Sequence, residues 1–316
     1  MNQTIELRNL SIGYDEKGKG RKCIAQGIQA HLCGGELTCL LGANGAGKST
    51  LLKTLSAFLP PLEGDIFIGG KALRGYSDNE RARLIGVVLT ERPELHHMTV
   101  RELVGMGRSP YTGFWGRMSK EDQDIVDEAI SLVGMQEMAL RQVDTLSDGE
   151  RQKAMIAKAL AQQTPIIFLD EPTAFLDYPS KVETMLLLRR LAHDTGKTIF
   201  LSTHDVELAL QTADTLWLMR RVRGATSYGL RATGGELATQ TIAPSADSPL
   251  IIGSPRNLAN DGLLGKFFAG KDFTFDREEM RFKVKNEEAP FNPPEGGRKV
   301  KSRVSNLLYP VFHELI

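Results

Sequence analysis

The 316-residue chain lacks an excess of either charge: 39 Lys and Arg face 39 Asp and Glu. That balance does not suggest a strongly basic binder of nucleic acid, though it leaves local basic patches open. Cysteine is scarce. The three present, Cys23, Cys33 and Cys39, are odd in number and contain no C-x-x-C pair, which argues against a disulfide framework or a zinc site. They read as reduced thiols in a reducing compartment. No apolar run approaches the length needed to span a bilayer. The opening Met1 to Leu10 carries Glu6 and Arg8 among alternating apolar residues, the pattern of a first strand and not of a cleavable leader. A cytoplasmic protein is expected, with any membrane association running through a partner.

What is present is an alternation of strand and helix signals. Residues 36–42, 165–170 and 198–202 are short apolar runs bounded by glycine or polar residues, each a buried-strand candidate. A helix is predicted over Lys48 to Leu59. Strands alternating with helices imply an α/β fold with a parallel sheet covered on both faces. From Met98 to Gln163 the patterns turn almost wholly helical. Thr99 and Glu102 form a capping-box pair with Met98 and Leu103 as its staple, and Ser119 with Asp122 marks a second helix start. A helical subdomain over about 91–163 is therefore expected inside a domain spanning 1–220. Residues 221–285 read as an extension of that core. The proline- and glycine-rich 286–316, with a basic run from Arg298 to Arg303, reads as a flexible tail.

Gly42-Ala-Asn-Gly-Ala-Gly-Lys-Ser49 matches the phosphate-cradling pattern G-x-x-x-x-G-K-[ST]. Composition alone gives that pattern in ~1% of chains of this length. Here it follows a predicted strand and opens a predicted helix, the context such a loop needs. Gly42, Gly45 and Gly47 let the backbone around Asn44 turn its N–H groups toward an anion, and the helix dipole points at the same place. Lys48 is placed for the β- and γ-phosphates, the Ser49 hydroxyl for Mg²⁺, and Thr50 for the α-phosphate side. The ligand implied is a nucleoside triphosphate.

The run from Pro165 ends in two adjacent carboxylates, Asp170 and Glu171. Open parallel sheets bind ligands beyond the carboxyl ends of their strands, so Asp170 is a candidate Mg²⁺ ligand and Glu171 a candidate general base for water. An exposed acidic turn is the plain alternative, disfavoured by the cradle upstream. Thr198 to Ser202 leads into His204 at the same sheet edge, within reach of the γ-phosphate and of Glu171.

At this point the chain resembles the ABC ATPases. Leu146-Ser-Asp-Gly-Glu-Arg-Gln-Lys153 looks like the family signature, Ala174-Phe-Leu-Asp177 like its D-loop, and Tyr14 stands where the family stacks an aromatic on adenine. The resemblance covers residues 1 to about 220. It implies a P-loop NTPase core with an inserted helical subdomain, ATP and Mg²⁺, and a head-to-tail homodimer in which Ser147, Gly149 and Asp177 close over the partner's ATP. Two departures stand out. Asp148 and Glu150 replace a glycine and a glutamine, and their charge is expected to point away or pair with Arg151 or Lys153. In Gly86-Val-Val-Leu-Thr90-Glu91, Thr90 occupies the place of a metal-touching glutamine, with its hydroxyl or the neighbouring Glu91 carboxylate to offer instead.

The resemblance extends to the kind of machine. One cassette without a span implies a separate ATPase subunit on the cytoplasmic face of the inner membrane, serving integral-membrane permease subunits and, through them, an extracytoplasmic substrate-binding protein. Arg101 to Arg117, with Gly107-Arg-Ser-Pro110 followed by aromatics, resembles the segment of iron–siderophore, haem and cobalamin importers that lies close to the permease groove. Tyr111, Phe114 and Trp115 either shape that surface or pack under the loop. His96 and His97 read as exposed loop histidines, because no further metal ligand stands near them. An exporter subunit of the same fold and a soluble ATP-dependent switch are the competing readings.

Overall fold

The computed structural model describes residues 3–16, 20–90, 97–113, 116–221, 248–268 and 273–284. The strands predicted at 36–42, 165–170 and 198–202 form β3 (Leu37–Gly42), β7 (Ile166–Asp170) and β8 (Thr198–Ser202). With β6 (Ile85–Val88), β9 (Thr215–Met219) and β10 (Leu250–Gly253) they make a six-stranded sheet of order β10-β9-β3-β8-β7-β6. Neighbours run parallel except β10, which pairs antiparallel with β9 at the edge. Side chains alternate across a strand, and both faces of this sheet are covered. Leu37, Cys39 and Leu41 enter one core, with Ile156, Leu169 and Leu188, while Leu40 enters a second with Leu51, Phe168 and Trp217. Unbroken apolar runs are the consequence. Phe168, Phe200 and Trp217 stack edge-on across three strands, with ring centroids 5.9 and 5.0 Å apart.

The second core is closed by an antiparallel sheet. The long strands β1 (Gln3–Glu16) and β2 (Gly20–Cys33) pair with each other, and β4 (Glu63–Ile68) and β5 (Lys71–Ala72) extend the sheet from β1. Of these only the start of β1 was expected. Ile5 and Leu7 point into the core while Glu6 and Arg8 face out.

Helix α1 (Lys48–Leu55) is shorter than the predicted 48–59. The amides of Phe58 and Leu59 both turn back to the Lys53 carbonyl, at 2.9 and 3.1 Å, and Ala57 takes φ 61°. That left-handed closing turn ends the helix ahead of Pro60 and Pro61. Helix α2 (Asp78–Leu84) leads into β6. Between β6 and β7 lie α3 (Val100–Gly105), α4 (Lys120–Leu132) and α5 (Asp148–Ala161), which pack on one another. The capping boxes at Thr99/Glu102 and Ser119/Asp122 are both formed, and two more close at Ser77/Glu80 and Ser147/Glu150.

Helix α6 (Tyr178–Thr195) begins at the Asp177 cap and stops at Gly196, φ 67°; α7 (Val206–Thr212) follows β8. The 221–285 region includes β10, α8 (Pro255–Asn260), α9 (Leu263–Phe267) and a hairpin of β11 (Phe273–Asp276) with β12 (Arg281–Val284). Glu91, His96, Phe114, Trp115 and the tail 286–316 lie outside the described residues. Among the described residues no helix is long and apolar enough to cross a membrane. All three cysteines are free thiols, Cys33 and Cys39 buried.

Candidate active site

The carboxyl ends of β3, β7 and β8 stand side by side, so the turns that follow them share one edge. The turn after β3 carries the Gly42–Ser49 motif expected to cradle phosphate. Gly45 and Gly47 take φ 76° and 107°, and Gly47 caps α1. A Cβ on Gly47 would stand 2.5 Å from Ile24 Cγ2, so glycine is required there by both backbone and space. The Lys48 ammonium folds back to donate to the Gly42 carbonyl at 2.9 Å. Burial pushes its pKa below the ordinary lysine value, and the carboxylates of Glu171 and Asp170 oppose that shift.

Tyr14, Asn44, Gly45, Gly47, Lys48, Ser49, Thr50, Glu171 and His204 line a single cleft of about 540 Å³. Tyr14 and Thr50 share a hydrogen bond of 3.1 Å between hydroxyls, which sets the ring at the mouth of the cradle. Lys22, Cys23, Ile24 and Arg221 also line the cleft. The first three sit on β2, a strand not expected from the sequence.

A short chain of bonds organises the acidic end. The Ser202 hydroxyl donates to Asp170 Oδ1 at 2.6 Å and accepts from the Glu171 amide at 3.0 Å. The same amide lies 3.2 Å from the Ser202 carbonyl oxygen. Glu171 takes φ 48°, a left-handed conformation that costs energy for a residue with a Cβ and is held by these bonds. It turns the carboxylate toward His204, whose Nε2 lies 2.7 Å from Glu171 Oε1. The Ser49 hydroxyl reaches Asp170 Oδ1 at 3.5 Å, and the Thr90 hydroxyl donates to the Asp170 carbonyl oxygen at 2.6 Å. Ser202 escaped the sequence reading. Its signal is the register that sets it opposite Asp170, which a single sequence does not display. Asp205, bonded to Thr173 and Lys181, is a second such brace.

Ser147, Gly149 and Asp177 do not line this cleft. They gather elsewhere. Ser147 caps α5, and a Cβ on Gly149 would stand 3.0 Å from Ser180 Oγ. The Ser180 amide donates to Asp177 Oδ1 at 3.0 Å, and the Ser180 hydrogen bonds hold that carboxyl below the usual carboxylate range. Glu150 points back along its own helix: its carboxylate accepts from the Ser147 amide at 2.8 Å and lies 3.8 Å from Arg141. Of the two expectations for this charge, turning away and pairing with Arg151 or Lys153, Glu150 follows the first: among the described residues, no ion pair joins it to either. Arg151 donates to the Val143 carbonyl and Lys153 pairs with Glu183. Tyr111 packs locally, with its ring 4.0 Å from the Arg108 guanidinium and its hydroxyl donating to the Gln162 carbonyl. His97 is exposed, at φ 58°.

A family model described as "ABC transporter" matches residues 25–174. An uncharacterized ABC transporter ATP-binding protein of Methanocaldococcus jannaschii is 41% identical over 216 residues, covering 68% of this chain and 73% of that protein. The ferric enterobactin transport ATP-binding protein FepC of Escherichia coli is 37% identical over 211 residues, 67% of this chain and 76% of its own. Among solved structures, the dimeric bacterial ABC transporter cassette MJ0796 superposes with a TM-score of 0.59 at 27% identity, over 68% of this chain and 94% of that one.

Proposed function

Because this chain belongs to the family of ABC transporter ATP-binding proteins, and is an ATPase of that family, we propose that it energises uptake of an iron chelate of the siderophore kind through a partner permease. The observation that carries the cargo class is the Escherichia coli relative named for ferric enterobactin transport, which is similar over two thirds of this chain. The importer-like segment from Arg101 to Arg117 supports the direction.

In this reading two copies stand head to tail, and each ATP lies between one copy's cradle and the other's Ser147, Gly149 and Asp177. The dimeric cassette among the similar structures supports the pairing. Tyr14 stacks on the base. The amides around Asn44 and Gly45 and the Lys48 ammonium hold the phosphates; Lys48 gives up its bond to Gly42 to do so. Ser49 and Asp170, with converging oxygens, and Thr90 are hard donors of the kind Mg²⁺ takes. The ion would supply neutralisation of charge on the β- and γ-phosphates. Glu171 takes the proton of the attacking water, and His204 holds the carboxylate in place through its 2.7 Å contact. Closure on binding and reopening after hydrolysis pass work to the permease from the cytoplasmic face of the membrane.

The test is purification of the tagged chain from gently solubilised native membranes. Recovery with a polytopic permease, encoded beside an extracytoplasmic binding protein that takes up a ferric chelate, is the expected result. Recovery from the soluble fraction alone, without a membrane partner, overturns the importer and favours the switch.

A further inference from the structure

Helix α5, which begins at the Ser147 cap, is gripped at its other end by a distant part of the chain. Residues 106–111 lie against its last turn. A Cβ on Gly107 would stand 2.2 Å from the Lys158 carbonyl oxygen, so only glycine lets the two backbones meet. The next residue, Arg108, is 4% exposed. Its Nε donates to Asp122 Oδ1 at 2.9 Å, and its Nη1 donates to the Ala161 carbonyl at 2.8 Å and to Gln163 Oε1 at 3.0 Å. Tyr111 covers the guanidinium and donates to the Gln162 carbonyl at 3.0 Å. The side-chain Nε2 of Gln162 in turn donates to the carbonyls of Ala82 and Ile85, where α2 gives way to β6.

The last carbonyls of a helix have no donors within it, and a cation is favoured at that end. Arg108 meets both conditions while its own charge is matched by Asp122. The other oxygen of Asp122 accepts from the Ser119 amide at 2.9 Å. One planar fork therefore ties the start of α4, the end of α5 and the 106–111 turn together. None of these atoms lines the nucleotide cleft.

We propose that Arg108 is a positioning residue for ATP hydrolysis: by fixing the C-terminal end of α5 it sets where Ser147 and Gly149 stand when two copies close. The helix has 14 residues, a length of roughly 21 Å, so a pivot of about 5° at the gripped end displaces the Ser147 end by roughly 2 Å. A misplacement of about 1 Å is enough to cost on the order of 100-fold in a reaction that depends on aligned groups. Nucleotide binding to one copy uses α1 and the strand ends, which do not share these contacts.

The inference rests on the head-to-tail reading, and its test separates the two. In the full chain, Arg108→Lys keeps a cation for Asp122 but loses the fork, and Tyr111→Phe removes the single bond to Gln162. Each is made alone and in a Glu171→Gln background. Nucleotide affinity of the isolated copy should stay within about twofold for both. Arg108→Lys should lower kcat at least tenfold at little-changed KM, and weaken ATP-dependent dimerisation of the Glu171→Gln form by a similar factor. Tyr111→Phe should move both in the same direction by about two- to fivefold. Should the lysine variant not fold, Tyr111→Phe decides alone. A parental kcat in the deciding variant overturns the proposal, as does a loss shared equally by nucleotide affinity or confined to the melting temperature. If Glu171→Gln by itself does not dimerise with ATP, the head-to-tail reading fails and the role given to Arg108 falls with it; if Glu171→Gln dimerises and the deciding variant keeps the parental kcat, only the role of Arg108 is overturned.

Discussion

Replacing Glu171 with glutamine isolates the proposed base with little geometric disturbance. The two side chains have the same shape, and the 2.7 Å contact with His204 survives because an amide can donate to or accept from either ring tautomer. The backbone at Glu171 is held by its own amide on Ser202, not by the carboxylate. The stability effect is therefore small. Glu171 and His204 are 30% and 45% exposed, a setting in which an ion pair contributes about 0–1 kcal/mol. Nucleotide affinity should hold or rise, since a negative charge leaves the neighbourhood of the phosphates. The chemical step should slow by about 10²–10⁴, which is roughly 2.7–5.4 kcal/mol on the barrier. Phosphate release at saturating ATP measures the rate, and light scattering after size exclusion detects the trapped ATP-bound dimer. Hydrolysis at the parental rate, with the variant folded and binding ATP, would refute the assignment of Glu171 as the base.

Four further outcomes follow from the same contacts. Lys48→Ala should weaken ATP binding itself at least tenfold, read by titration with a fluorescent nucleotide, because the turn after β3 loses its lysine ammonium. Ser202→Ala should lower turnover about tenfold and stability by about 1 kcal/mol, measured by phosphate release and urea unfolding, since Asp170 and the Glu171 amide both lose a partner. Gly149→Ala should reduce ATP-dependent dimerisation, and Ser180→Ala in the same chain should restore part of it by removing the atom at 3.0 Å. The carboxyls of Glu80, Glu102, Asp122 and Glu150 are each held below the usual range, first by the backbone N–H of Ser77, Thr99, Ser119 and Ser147. Folded values below unfolded ones mean stability that is present above the unfolded pKa and lost as pH falls through the folded one. Urea midpoints should therefore fall on acidification below about pH 4, and Glu102→Gln should show a shallower fall across that window.

The parallel sheet was legible because burial on both faces leaves β3, β7 and β8 almost wholly apolar, and the turns after them carry glycine or charge. The antiparallel sheet was not. Its strands alternate with outward residues such as Glu6, Arg8 and Asp65, and β1 is broken by irregularities near Asn9, which takes φ 47°. Neither period survives such interruptions over 14 residues. The cleft inherits this split. Its phosphate end was readable from 42–50, 170–171 and 204, which are local in sequence. Its other end was readable only at Tyr14, through the resemblance, because Lys22, Cys23 and Ile24 reach it only through the pairing of β2 with β1. Ser202 belongs to the same class: a serine ending a strand is unremarkable until the register with β7 sets it against Asp170.

Glu150 marks the limit of reading charge along a helix. Pairing with Arg151 or Lys153 was one of two expectations for its charge, but residues one and three positions along a helix compete with every other element packed nearby. Here the start of α5 needs donors satisfied before it needs ion pairs. The Glu150 carboxylate, three residues in from Ser147, is at the right distance to accept the exposed amide, and once turned that way it meets Arg141 from the preceding loop. Arg141 is itself tied to Thr145 by bonds of 3.1 and 2.8 Å, so the loop, the cap and the carboxylate form one unit. A glutamine at 150 would keep the cap and lose the attraction to Arg141. The charge on Glu150 thus serves the ordering of the segment before α5 as well as the helix, and a swap to glutamine tests the two contributions apart: the cap bonds persist, and hydrogen exchange at residues 141–146 should quicken while that of α5 does not.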